Sequence, residues 1–198
     1  MTNDNTILYF GSFNPIHYGH IRIAEYLLEN HFGAEIWLVI SPLNPLKKQT
    51  ELLEEQHRAT MARLALEDEQ ITDKVKVCDI EFNMPKPSYT ANTIRKLKEY
   101  YPERRFSLLI GEDNLAVFHL WKEYDYLLDT VPILTYPRIG TISENGLDEH
   151  PGVTFLKNAP LFEISSTEIR SLLKGTNDIT PYVPLPVIDY IKRNELYV

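Results

Sequence analysis

The sequence predicts a doubly wound α/β domain, a mostly parallel sheet with helices on both faces. Two observations carry that expectation. Short, continuous apolar runs recur along the chain, and stretches with helical spacing lie between them. The runs do not alternate polar with apolar, which is how strands covered on both faces read. A length of 198 residues suits one domain with a single fold, 1–198, closing in a small helical portion from about residue 165.

The first predicted strand is "ILYF" (7–10), and a helix over 20–32 follows it. There Ile21, Ala24, Leu27 and Leu28 form one stripe, with Arg22, Glu25 and Glu29 opposite. "IWLVI" (36–40) is the second strand. Residues 41–52, with two prolines and two lysines, read as a functional loop. A helix over 54–68 gathers Ala59, Ala62 and Leu66 and is rich in good helix formers. "KVKVCDI" (74–80) is a strand, and "TANTIRKLKEYY" (90–101) is a helix opening on a threonine cap and ending before Pro102. Strands follow at 106–110, 131–135 and 153–156; residues 137–152 between the last two read as an irregular surface excursion. Helical pieces at 167–175, stopped by Gly175, and 184–194 complete the chain.

Composition narrows the function. A net charge of −8 argues against broad binding of nucleic acid, which needs a basic face. A small anion remains open to an acidic protein, because local geometry holds it. The single cysteine, Cys78, excludes an internal disulfide. The start carries neither a basic n-region nor a long apolar stretch, and no run approaches the roughly 20 apolar residues of a membrane span. The expectation is a soluble, cytoplasmic protein with no membrane partner; the oligomeric state is not legible.

Two segments carry chemistry. In "FGSFNPIHYGH" (10–20) the loop after the first strand hands over to a helix, and ligands of parallel sheets sit beyond the carboxyl ends of the strands. Gly11 lets backbone approach a ligand, Pro15 stiffens the turn, and Gly19 keeps the first helical turn bare. The helix start offers unpaired N–H groups to phosphate. His17 and His20, at i and i+3, share a face and add a pair of donors that stabilise charge developing in phosphoryl transfer. No further ligand stands at a spacing that suggests zinc. In "FEISSTEIRSLLKG" (162–175), Ser165, Ser166 and Thr167 open a helix, and Arg170 lies one turn in, placed to grip a phosphate bidentately. Two helix starts with donor side chains suggest a triphosphate held from two sides.

Together "GSFNPIHYGH" and "ISSTEIR" resemble the nucleotidyltransferase superfamily with the HxGH signature. That resemblance implies a Rossmann-like fold and nucleotidyl transfer from a nucleoside triphosphate with Mg²⁺. "KPSYTANTIRKL" (86–97) and "LLIGEDNLAVFHLWKEYDYLL" (108–128) are similar to the bacterial nicotinate-nucleotide adenylyltransferases, nearly end to end. The likeness implies that ATP and nicotinate mononucleotide give deamido-NAD and pyrophosphate. Enzymes acting on nicotinamide mononucleotide or phosphopantetheine share the HxGH logic, and a nucleotide sensor without turnover is the alternative outside catalysis.

Carried over by position, the resemblance assigns His17, His20 and Arg170 to catalysis. It places Gly11, Ser12, Phe13, Asp113, Ser166 and Thr167 with those three around ATP. Lys47, Tyr89, Thr90, Trp121 and Lys122 fall to the acceptor, with the indole stacked on the pyridine ring. No protein ligand is implied for the metal. On helix pattern alone, Trp121 reads instead as packing beside Leu120, Tyr124 and Leu127. Asn14, Leu46 and Asn92 depart from residues common in that family.

Overall fold

The computed structural model describes residues 5–42, 52–141, 146–175 and 177–197. Strands β1 (Asn5–Gly11), β2 (Glu35–Ile40), β3 (Val75–Cys78), β4 (Arg105–Gly111), β5 (Ile133–Tyr136) and β6 (Val153–Phe155) form one sheet in the order β3-β2-β1-β4-β5-β6. Each pairing in it is parallel, so the mostly parallel sheet of the sequence reading is parallel throughout. The chain winds outward from β1 through β2 and β3, then outward again from β4. β1 and β4 are neighbours at the switch, where a crevice opens beyond the strand ends.

Helices cover both faces: α1 (Tyr18–Glu29), α2 (Glu55–Asp68), α6 (Ser166–Lys174) and α7 (Leu185–Arg193) on one, α3 (Thr90–Tyr100), α4 (Glu112–Ala116) and α5 (Tyr124–Thr130) on the other. The division follows the period of two in β1. Ile7 and Tyr9 pack with Ile21, Ala24 and Leu27 of α1, Leu66 of α2 and Ile188 of α7. Leu8, between them, packs with Ile94 and Leu97 of α3 and Leu127 of α5. Each such side chain contributes roughly 1.5–3 kcal/mol on burial, so both layers are needed to hold the sheet. No helix among the described residues is long and apolar enough to cross a membrane.

Two expectations need correction. The amphipathic helix read around Trp121 does not exist. The chain breaks after α4 into a short 3-10 turn, Phe118–Leu120, Trp121 is extended (φ −72°, ψ 140°), and Glu123 is left-handed at φ 58° before α5 begins. Leu120, expected to pack beside Trp121, is 62% exposed. Nor does Thr90 cap α3: it is the first helical residue, Tyr89 precedes it in extended conformation, and no capping side chain accepts from that helix start.

Candidate active site

The loop between β1 and α1 is held rigidly. Phe13 adopts φ 44° and is 1% exposed, its ring against Tyr9 and His20. A Cβ on Gly11 would lie 2.8 Å from that ring, so the glycine makes room for Phe13. His17 is the residue before α1, and its Nδ1 accepts the Gly19 N–H at 3.1 Å. A Cβ on Gly19 would stand 2.9 Å from the imidazole, which is why glycine sits there. The His17 N–H in turn donates to Nδ1 of His20 at 3.3 Å, and the rings are 3.8 Å apart.

This arrangement changes the reading of the helix start. The Tyr18 amide donates to Tyr182 O, Gly19 to His17 Nδ1, and His20 and Ile21 to His17 O. The amides expected to cradle phosphate are therefore occupied. What α1 presents is side chains. With both Nδ1 atoms accepting, the neutral tautomer of each ring carries its hydrogen on Nε2. Burial, and then the Arg138 charge, push the His17 pKa down to about 3, so this ring is a neutral donor.

Two buried ties fix the loop from beneath and behind. Arg58 of α2, wholly buried, donates to the carbonyls of Ser12 (2.6 Å), Ser41 (2.8 Å) and Leu53 (2.9 Å), joining the loops after β1 and β2. Asn14 is 3% exposed, and its Oδ1 accepts the Tyr197 hydroxyl at 2.8 Å. An amide oxygen serves that bond, so the departure from aspartate leaves the joint intact. Arg170 Nη1 donates to Asn14 O at 2.9 Å, and Ser166 Oγ to Pro15 O at 2.9 Å. The start of α6 carries its own anion: Ser165, not Ser166 or Thr167, is the cap, in a reciprocal box with Glu168.

A cleft of about 340 Å³ opens at the carboxyl ends of β1 and β4. Gly11 and Ser12 line it from one side, Tyr89, Thr90, Trp121 and Lys122 from the other, with Glu81 and Ser88 in its wall. The Thr90 and Ala91 amides have no partner among the described residues, and the first turn of α3 carries no acid. An uncapped helix start therefore meets the cleft, with the Glu81 carboxyl held beside it by Ser88 and Thr93. Trp121 packs against Phe118 with centroids 5.0 Å apart, and the Lys122 ammonium lies 4.5 Å from the Tyr89 centroid. An ion pair between Arg95 of α3 and Glu123 ties the two parts of that second wall together. Asn92 is exposed and accepts from Arg95, away from the cleft.

The histidines face a smaller chamber next door, lined by His17, Gly19, His20, Arg138 and Phe162 among others. Tyr9 and Tyr136 line both spaces, with their hydroxyls 3.1 Å apart at the partition. Asp113 lines neither space; its carboxylate meets Arg138 Nε at 3.5 Å. Phe13, Ser166, Thr167 and Arg170 also line neither; Phe13 is part of the loop after β1, Ser166 and Arg170 bond its carbonyls, and Thr167 accepts from Arg170 at 3.4 Å. Lys47 and Leu46 lie outside the described residues.

Sequence reasoning missed Arg138, Arg58 and Glu81. Arg138 had a legible signal, a basic residue two positions past the carboxyl end of β5, on the ligand edge of the sheet. It was submerged in a stretch read as a surface excursion. Arg58 and Glu81 sit on elements whose local pattern marks them as solvated charge.

The sequence profile of the cytidylyltransferase-like family matches residues 8–172. The chain is 46% identical over 191 residues to a "probable nicotinate-nucleotide adenylyltransferase" of Flavobacterium johnsoniae, covering 96% of this chain and 97% of the relative. It is 42% identical over 189 residues to the protein of the same name from Bacteroides thetaiotaomicron, at 95% and 91% coverage. Among solved structures, nicotinic acid mononucleotide adenylyltransferase of Plasmodium falciparum complexed with NaAD is similar with a TM-score of 0.85 at 28% identity, over 98% of this chain and 97% of that one.

Proposed function

The chain belongs to the cytidylyltransferase-like family, and from that premise we propose that it transfers the adenylyl group of ATP to nicotinate mononucleotide. The products are deamido-NAD and pyrophosphate, a step of NAD biosynthesis. The observation that carries the acceptor is the cleft wall, an indole beside an uncapped helix start. An indole face suits a pyridinium ring, and the Thr90 amide suits its carboxylate. Cytoplasmic residence is part of the same proposal.

A phosphate oxygen of the mononucleotide attacks the α-phosphorus of ATP in line; the bond to the bridging oxygen breaks and pyrophosphate leaves with that electron pair. The nucleophile is already an anion, so no general base is needed. The protein aligns two anions and stabilises charge at the transferred phosphoryl group. His17 and His20 serve by Nε2–H donation and Arg138 by permanent charge. Arg170, Ser166 and Arg58 hold the histidine loop in place. Among the described residues no group of three or more His, Cys, Asp or Glu side chains gathers into a metal cage. Mg²⁺ would enter on the triphosphate and neutralise charge there.

Pyrophosphate release from ATP tests this with nicotinate mononucleotide, nicotinamide mononucleotide and phosphopantetheine as acceptors. Turnover with the first is expected, with the second at least about tenfold lower in kcat/KM, because an amide NH₂ would face an N–H donor. A preference for the amide would overturn the acceptor; turnover of phosphopantetheine alone would move the chain to another branch of its family.

A further inference from the structure

Glu81 is a charged residue buried to 2% exposure, placed in the cleft wall, and nothing in the transfer chemistry uses it. It rises from the 3-10 turn Ile80–Asn83 that follows β3. Its Oε2 accepts the Ser88 hydroxyl at 2.6 Å and its Oε1 accepts the Thr93 hydroxyl at 2.6 Å. Ser88 stands two residues before Thr90 and Thr93 three after it. One carboxylate thus grips the chain on both sides of the two open amides.

A hydroxyl anchored to a neutral neighbour, or a serine box of the kind found at α6, would hold the helix start equally well. A serine box, however, places its oxygen on the first-turn amides themselves. Glu81 braces the turn from behind and leaves the Thr90 amide to the cleft. Burial disfavours its charge and pushes its pKa up, while the Ser88, Thr93 and Ser41 hydroxyls work the other way. A buried carboxylate with this desolvation cost, bonded by two short hydroxyl donors, is a costly way to fasten a loop. It is well suited to fixing a helix start within the tolerance that a bound carboxylate requires.

We propose that Glu81 is a positioning residue for the acceptor, acting through Ser88 and Thr93 to aim the Thr90 amide at the acceptor's anionic ring substituent. The inference rests on the acceptor reading given above. Three conservative variants test it: Glu81→Gln, Ser88→Ala and Thr93→Val. Each is expected to lower kcat/KM for nicotinate mononucleotide about tenfold, with the KM for ATP unchanged. Because Glu81 works through an amide, its effect should vanish where that amide is gone: in a Thr90→Pro background, Glu81→Gln should add no further loss. Full additivity of the two changes, or an equal loss for both substrates tracking a lower Tm, would overturn the proposal and leave Glu81 a structural anchor. Ser88→Ala, at a position outside the helix, separates aim from folding if Glu81→Gln does not fold. If the wild-type enzyme ignores nicotinate mononucleotide, the acceptor reading fails, and that outcome is visible before any variant is made.

Discussion

Two helix starts flank the reaction space and use their backbones in opposite ways. At α1 the first amides are all satisfied, by His17, by its carbonyl and by Tyr182 O, and the helix presents imidazoles. At α3 no side chain caps the first turn, no acid sits in it, and Thr90, its first residue, lines the cleft. The same structural unit is thus a mount for side-chain donors in one place and a backbone donor in the other. The difference suits the tasks. A transferred phosphoryl group needs donors aimed at charge that develops, and a carboxylate needs donors for charge that is already there.

The largest expected effect breaks the α1 side. His20→Ala should lower kcat about 100-fold or more, on the scale of roughly 3 kcal/mol for one preorganised donor, with a smaller change in ATP affinity. Near-normal turnover in a folded variant would take the imidazoles out of the mechanism. Thr90→Pro is the matching cut at α3. Proline is accepted at the first helical position, and Tyr89 at φ −118°, ψ 134° suits the residue before it. The amide hydrogen is lost together with the Thr90 hydroxyl, so Thr90→Ala is the control for the side chain; relative to that control, kcat/KM for nicotinate mononucleotide should fall about 10- to 100-fold while ATP binding holds. If the specificity constants for the two mononucleotides stay in their wild-type ratio, α3 is not the carboxylate donor.

Smaller effects sharpen the contrast. Trp121→Ala should raise the KM for the mononucleotide about tenfold and leave the KM for ATP alone, as loss of a ring face does. Arg170→Lys keeps the charge but loses the planar fork that holds Asn14 O. A drop in kcat of about fivefold, without a matching rise in the KM for ATP, would distinguish a brace of the histidine loop from a direct phosphate ligand. The smallest effect expected is none. His17 is held neutral, with its pKa pushed down to about 3, so its charge does not change across roughly pH 5 to 8 and no acid limb of kcat there should belong to it. Stability should respond: the unfolded chain's imidazole takes up a proton near 6.5 and the folded one does not, so His17 favours unfolding as pH falls from 6.5 toward 3. A kcat limb near pH 6.5 that disappears in His17→Asn would contradict this.

Much of the architecture was legible because it depends on local pattern. Continuous apolar runs placed all six strands to within a few residues, since burial on both faces demands them. The two histidines and the Tyr89-Thr90 and Trp121-Lys122 pairs were legible as motifs. What escaped depends on partners distant in sequence. Nothing local says that Tyr18 will donate to Tyr182 O, which closes the α1 start. Glu123 takes a left-handed conformation that its type does not favour, and there the expected helix breaks. Arg58 lies in a stretch of good helix formers, and its burial is set by the carbonyls of two loops it meets only in the fold.

The alternation of side chains along β1 has a consequence for how such a protein changes over generations. Ile7 and Tyr9 belong to the layer that backs the histidines, and Leu8 to the layer that backs the acceptor wall. The sheet is a partition, and substitutions on its two sides are felt almost independently when they share no neighbour. A lineage can therefore vary α3, α4 and α5, trying new small molecules against the Trp121 wall, while α1, α2 and α6 keep the nucleotide-activating half untouched. Selection works on two nearly separable problems, and a descendant that gains a new acceptor need not rediscover its chemistry.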